Sequence, residues 1–185
     1  MINVNDFKTG VTIVVDDNIF QVIEFQHVKP GKGPAFVRTK LKNLRTGANI
    51  DYTFTAGIKV ERALVEKKAM QYLYNTGDIY VFMNMETYEQ IEINKQLLEA
   101  NIDYLKENLE VELVFYNDEL IGINMPEKIE MVVTNTENAT KGNTATSALK
   151  DAVVETGLIV KVPLFINEGE TIIISTKDGK YVSRK

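Results

Sequence analysis

Cysteine and tryptophan are both absent from the 185 residues. Without cysteine there is no disulfide scaffold, no thiolate zinc site and no thiol nucleophile. A single histidine, His27, leaves out every double-histidine metal motif, and no serine nucleophile is arranged with it as a triad would need. Long apolar runs are missing as well. The longest is Ile79–Met83, far short of the roughly 18 residues a membrane helix requires. The start, Met1-Ile2-Asn3-Val4-Asn5-Asp6, is neither basic nor followed by an apolar stretch, so no signal peptide is expected. Internal repeats and low-complexity segments are lacking too. What is present is 44% hydrophobic and 25% charged residues, a balance that predicts a folded, soluble, cytoplasmic chain rather than a disordered one.

The formal net charge is −5, which by itself argues against nucleic acid as a partner. The charge is unevenly spread. Residues 1–63 carry a net +3, residues 64–127 a net −9 and residues 128–185 a net +1. Between Val28 and Arg45 stand Lys29, Lys32, Arg38, Lys40, Lys42 and Arg45 with no acidic residue among them. A local basic face on an acidic protein suits contact with RNA at one end only. A solvated strand edge, blunted by lysine against further pairing, explains it equally well.

Most of the chain reads at period two. Strands are expected at Val11–Val15, Ile19–Phe25, Phe36–Asn43, Met70–Tyr74, Ile79–Met83, Val111–Tyr116, Leu120–Asn124, Ile129–Thr134, Leu158–Val162 and Thr171–Ser175. Turn-prone residues separate them: Asp16-Asp17-Asn18, Arg45-Thr46-Gly47, Asn75-Thr76-Gly77-Asp78, Asn117-Asp118 and Lys177-Asp178-Gly179-Lys180. In Phe36–Asn43, Val37, Thr39 and Leu41 point one way and Arg38, Lys40 and Lys42 the other. One helix is expected, from the spacing of Leu98, Ile102, Leu105 and Leu109 behind a possible N-cap at Asn94. The stretch from Ala139 to Ala148, small and polar, reads as an exposed loop. Many short strands with little helix predict an all-β chain of sandwiches or small barrels. The three charge regimes favour three small β-barrel domains, 1–63, 64–127 and 128–185.

Lys29-Pro30-Gly31-Lys32-Gly33-Pro34 is the most informative segment. Pro-Gly fits the central positions of a type II turn, which makes this a hairpin loop with Lys32 near its tip. A lysine between two glycines has no neighbouring side chain to shield it, so it can approach a surface closely or be reached by a modifying enzyme. An ordinary turn with a solvated lysine is the alternative. It is not a phosphate-binding P-loop, because neither Ser nor Thr follows the lysine. His27, just before the loop, reads as a loop-base histidine satisfied by hydrogen bonds. The pairs Glu89/Glu92 and Glu107/Glu110 read as a solvated acidic face, with no companion residues for a metal site. The tyrosines and phenylalanines, at strand spacing, read as barrel core.

Several collinear segments resemble the bacterial translation elongation factor P family over the whole chain. They are Asn5–Gly10, His27–Arg38, Leu44–Gly47, Met70–Tyr74, Val81–Asn84 with Glu86–Gln90, Val162–Phe165, Asn167–Glu170 and Gly179–Arg184. The loop is also similar in outline to that of the hypusine-bearing eukaryotic and archaeal relative, which lacks a third domain. The resemblance implies an L-shaped molecule of an N-terminal SH3-like (KOW-type) barrel followed by two OB folds. It implies a cytoplasmic, monomeric, tRNA-mimicking factor without a membrane, a metal, a cofactor or an active site. Such a factor binds the ribosome between the peptidyl and exit sites and promotes peptide bond formation at consecutive prolines by positioning peptidyl-tRNA. Its partners would be peptidyl-tRNA, ribosomal RNA and a lysine-modifying enzyme.

The family's modified residue falls on Lys32, within the loop of Lys29, Pro30, Gly31 and Gly33. The expected RNA-binding face is Arg38, Lys40, Lys42 and Arg45. A third-domain contact loop falls on Lys141, Gly142, Asn143 and Thr144, and the tail on Tyr181 and Arg184. Asn143 stands where the family usually has aspartate, Thr146-Ser147 where it has Thr-Gly, and Asp151 where a proline is common. Two rival classes have their own signatures. A generic OB-fold binder of single-stranded RNA predicts basic residues and exposed aromatics on more than one barrel, against which the −9 middle third speaks. A hydrolase predicts carboxylates converging in a pocket.

Overall fold

Along Phe36–Asn43 the side chains of Val37, Thr39 and Leu41 are buried and those of Arg38, Lys40 and Lys42 are exposed. That strand lies in the first of three sheets. The computed structural model describes residues 1–138 and 148–185. The first sheet is built from β1 (Ile2–Asn3), β2 (Thr12–Val15), β3 (Asn18–Val28), β4 (Phe36–Asn43), β5 (Asn49–Thr55) and β6 (Lys59–Arg62), in the order β1-β6-β2-β3-β4-β5. Its inner faces meet in a core of Val4, Phe7, Ile13, Phe20, Val22, Val37, Leu41 and Phe54. Asp16 and Asp17 both have positive φ, so β2 and β3 are joined by a two-residue turn whose twist matches that of the strands.

The second sheet holds β7 (Glu66–Asn75), β8 (Ile79–Asn84), β9 (Gln90–Asn94), β10 (Glu110–Tyr116) and β11 (Glu119–Asn124), ordered β11-β10-β7-β8-β9. The third holds β12 (Lys128–Thr136), β13 (Leu149–Val154), β14 (Ile159–Pro163), β15 (Thr171–Ser175) and β16 (Tyr181–Arg184), ordered β14-β13-β12-β15-β16. Aliphatic residues fill its core, among them Met131, Val133, Val154, Val162, Ile172 and Ile174.

By compactness the chain divides into two units, residues 1–68 with 113–122 and residues 69–112 with 123–185. In the first unit the β10–β11 hairpin tip lies on the N-terminal barrel. Val114 and Ile121 bury Ile19 and Ala63, with Val14, Leu44, Val65 and Tyr116 around them. The hairpin turn itself, Asn117-Asp118, again has positive φ at both residues.

The helix expected over Leu98–Leu109 does not form. The segment makes two single 3-10 turns, Lys95–Leu97 and Ile102–Tyr104, and Asn94 precedes the first without a side-chain cap. Asn101, Asp103 and Asn108 are weak helix formers, and Asn108 adopts φ 67°, which no right-handed helix accommodates. The apolar spacing serves scattered packing instead of one helical face. Leu98 and Leu105 are buried, while Tyr104 and Leu109 pack against the core of the third sheet.

Two tyrosines of the second unit give it a pH dependence. Burial, above all, raises the Tyr72 hydroxyl above the ordinary 10.0; the hydrogen bond donated by Asn75 pulls the other way, and Tyr80 and Glu107 add to the rise. Burial likewise raises Tyr104, with Asp103 and Asp178 adding to it. Both groups are favoured neutral in the fold. Their stabilisation is therefore complete below about pH 10 and lost as pH climbs through the raised folded values. A melting midpoint followed from pH 8 to 11 should stay level and then fall above about pH 10. Replacing both tyrosines with phenylalanine should shrink that fall.

Candidate nucleic-acid interface

The loop that carries Lys32 follows from the length of the β3–β4 hairpin. Pairing continues rung by rung to Val28↔Phe36, and the chain then leaves the ladder until Ala35, whose carbonyl accepts from Ala56 N at 3.0 Å. Residues Lys29 to Pro34 are all exposed. The expected type II turn at Pro30-Gly31 is not formed, because Gly31 does not have positive φ. Gly33 does, at φ 94°, so the reversal of the chain falls one residue after the lysine rather than before it. A side chain at Gly33 would meet nothing within 4 Å, so backbone conformation, not crowding, favours glycine there. Among the described residues neither Lys29 nor Lys32 has an ion-pair or hydrogen-bond partner. His27 is exposed too. Its ring stands edge-on to Phe25 at 5.7 Å, and among the described residues it has no hydrogen-bond partner of the kind its place at the loop base suggested.

Below the loop, Arg38, Lys40 and Lys42 form a row down the exposed face of β4. The sheet gives each a different setting. Arg38 lies between Gln26 and Thr53, and Lys42 between Gln21 and Asn49. Lys40 lies between Glu24 and Asp51. The chain segment itself holds no acid, yet pairing brings two carboxylates alongside its middle lysine. The row is thus basic at its two ends, and between them the charge of Lys40 is more than offset. Arg38 also has its guanidinium 6.0 Å from the centre of the Phe36 ring, the geometry of a cation–π contact.

Arg45 does not join the row. It sits in the turn after β4 and is engaged within the first unit. Its Nη2 donates to Glu119 Oε2 at 3.2 Å and its Nη1 to the Asp17 carbonyl at 3.1 Å, linking the turn to two neighbouring hairpin turns. In the tail, Tyr181 packs half-buried against the third sheet's core. Arg184 pairs with Glu170 at 2.8 Å and covers the Phe165 ring at 5.6 Å, so its charge is largely answered inside the fold. Lys141, Gly142, Asn143 and Thr144 lie outside the described residues. Among the described residues no three histidines, cysteines or carboxylates gather in a way that could hold a metal ion, and no helix is long and apolar enough to cross a membrane.

Comparison with known proteins divides the chain into three matched segments. Residues 3–60 match the elongation factor P KOW-like domain, 65–123 the elongation factor P OB domain and 129–184 the elongation factor P C-terminal domain. The elongation factor P of Onion yellows phytoplasma (strain OY-M) is 60% identical over 185 residues, covering 100% of this chain and 98% of that protein. The chain belongs to the elongation factor P family. The family is one of translation elongation factors, not of catalytic enzymes. The elongation factor P of Phytoplasma australiense is 58% identical over the same span. Among solved structures, eukaryotic translation initiation factor 5A from Methanococcus jannaschii superposes with a TM-score of 0.51 at 24% identity, covering 68% of this chain and 90% of that one. A member of the same initiation factor family from Naegleria fowleri gives 0.52 at 14% identity, covering 67% and 96%. These similarities support the fold alone: a KOW-like barrel followed by OB domains, nearly all β.

Proposed function

We propose that this family member binds the ribosome between the peptidyl and exit sites and promotes peptide bond formation at consecutive prolines by positioning peptidyl-tRNA. The observation that carries this reading is Lys32: exposed, unpartnered among the described residues, and set between two glycines on a loop beyond the last rung of a hairpin. Such a probe is narrow enough to enter a crowded RNA centre. Its ammonium is free to meet the tRNA end, bare or after extension by a lysine-modifying enzyme. The basic ends of the β4 row, Arg38 and Lys42, contact RNA phosphates nearby. The ribosome performs the chemistry, so the protein supplies position and needs no nucleophile. Misplacement of reacting groups by about 1 Å can cost on the order of 100-fold in rate, and proline is a rigid, poorly aligned reactant. It acts in the cytoplasm as a monomer.

A reconstituted translation system tests this directly. Added protein should shorten the pause at three consecutive prolines in a reporter and leave a proline-free reporter unchanged. Equal effects on both reporters, or none on either, would overturn it.

A further inference from the structure

A cleft of about 380 Å³ opens within the second unit. Tyr72 and Asn75 of β7 and Tyr80 of β8 line one side of it. Lys106 and Glu107, from the connection between β9 and β10, and Glu155 and Thr156, from the turn after β13, line the rest. Thr156 Oγ1 donates to the Asp103 carbonyl at 2.6 Å and so holds that turn against the connection.

Tyr80 is the informative residue. It is 7% exposed, yet its hydroxyl has no hydrogen-bond partner among the described residues. A phenol buried this far ordinarily finds one. Its neighbour Tyr72 does: the Tyr72 hydroxyl accepts from Asn75 Nδ2 at 2.8 Å, and Asn75 Oδ1 accepts in turn from Gly77 N at 3.2 Å. Among the described residues every fully buried side-chain nitrogen and oxygen is bonded, so the free Tyr80 hydroxyl is one that solvent reaches, and the cleft is where it does so.

The charges around it have the same character. Glu107 is exposed, with neither an ion pair nor a hydrogen bond among the described residues. Glu155 Oε1 accepts from Val132 N at 3.1 Å, which orients the carboxylate and leaves its other oxygen without a partner there. Lys106 is the only cation of the lining, so the cleft is net negative and disfavours an anion. Two carboxylates, the Tyr80 hydroxyl and Thr156 Oγ1 can all accept, against one ammonium that can only donate. The complementary ligand is therefore a cation rich in donors. A guanidinium fits this best, with five N–H donors in one plane, no acceptor, and a flat face that lies against tyrosine rings. An ammonium has three donors and no such face.

We propose that this cleft is a binding site for a guanidinium group, presented by an arginine of a basic protein segment. Free L-arginine carries an α-carboxylate into the same negative surroundings, which favours the side chain of a protein as the source. Nothing in this proposal depends on the ribosome reading.

The test is titration of the full chain with the acetylated and amidated peptide Gly-Arg-Gly, followed by amide chemical shifts. Shifts are expected at Asn75, Tyr80, Lys106, Glu107 and Thr156 and not at Val37 or Met131. Citrulline in place of the arginine keeps the shape and removes the charge, and should abolish them. L-arginine should bind more weakly than the peptide. Glu107→Gln should weaken peptide binding by about twofold to fivefold, as for an exposed ion pair. Tyr80→Phe keeps the buried ring and should weaken it by about twofold to tenfold, as for one hydrogen bond. Should that variant fail to fold, exposed Glu107 still decides the matter. Glu92→Gln, an exposed acid outside the cleft, should bind as the parent does. Equal shifts with the citrulline peptide, or shifts of the same amides by adenosine monophosphate, would overturn the proposal, because the cleft would then recognise shape or a base. So would a loss in Glu92→Gln as large as in Glu107→Gln, which would make the attraction diffuse, or the absence of any shift with the arginine peptide. L-arginine binding as tightly as the peptide would uphold the guanidinium site and overturn the protein source.

Discussion

Lys32→Ala should leave the fold untouched and reduce polyproline synthesis to the rate seen without the protein. The side chain is exposed and has no partner among the described residues, so its removal should change stability by less than about 0.5 kcal/mol. The loop's own geometry should also survive, because the left-handed residue is Gly33 and the lysine has an ordinary backbone conformation. An unchanged melting midpoint together with failure to relieve the pause would place the effect in the interaction that Lys32 makes. Lys32→Arg then separates charge from modification. Arginine keeps the cation but offers no primary amine for an enzyme to extend. A variant that rescues like the parent assigns the role to charge alone, and one that fails like alanine assigns it to the amine. A Lys32→Ala protein that relieves the pause as the parent does would sink the role of this loop.

How the loop and the row beneath it look could be read from the residues only in part. Alternation in Phe36–Asn43 was legible because one face is buried completely, Val37 and Leu41 at 0% exposure, so a period of two has a strong physical cause. Asn49–Thr55 and Gln90–Asn94 alternate too, with Phe54 and Ile93 buried, so these two edge strands were legible by the same period although they are missing from the expected strands; Tyr181–Arg184, an edge of the third sheet, shows no such alternation of buried and exposed residues. β13 was missed for another reason: Lys150 on its inner face breaks the apolar pattern that would have marked it. The turn was misplaced within the loop because Pro-Gly carries a type II signal that Gly33, one residue past the lysine, overrides. The carboxylates beside Lys40 were invisible for a simpler reason. Glu24 and Asp51 are distant from it along the chain and reach it only through strand pairing.

That pairing sharpens what charge reversal should do. If the β4 row meets RNA, ribosome affinity should fall as salt rises, because each neutralised phosphate displaces condensed cations. Taking nucleic-acid duplexes and single strands as a guide, abolishing one phosphate interaction should reduce the slope of log affinity against log salt by about 0.9 or about 0.7. Arg38→Glu and Lys42→Glu should each show a change of that size, since their cross-strand neighbours are neutral. Lys40→Glu should show less, because Glu24 and Asp51 already offset its charge in the parent. The triple variant should therefore flatten the slope by the equivalent of about two phosphates, not three. Glu86, Glu89 and Glu92, all exposed in the acidic middle of the chain, provide the control. Changing them to glutamine should alter the slope little, since an acidic face neutralises no phosphate. The measurement is ribosome binding at several salt concentrations for each variant. A triple variant with the parental slope would mean that the row is a solvated edge, and the RNA docking would then have to come from the Lys32 loop and the third barrel.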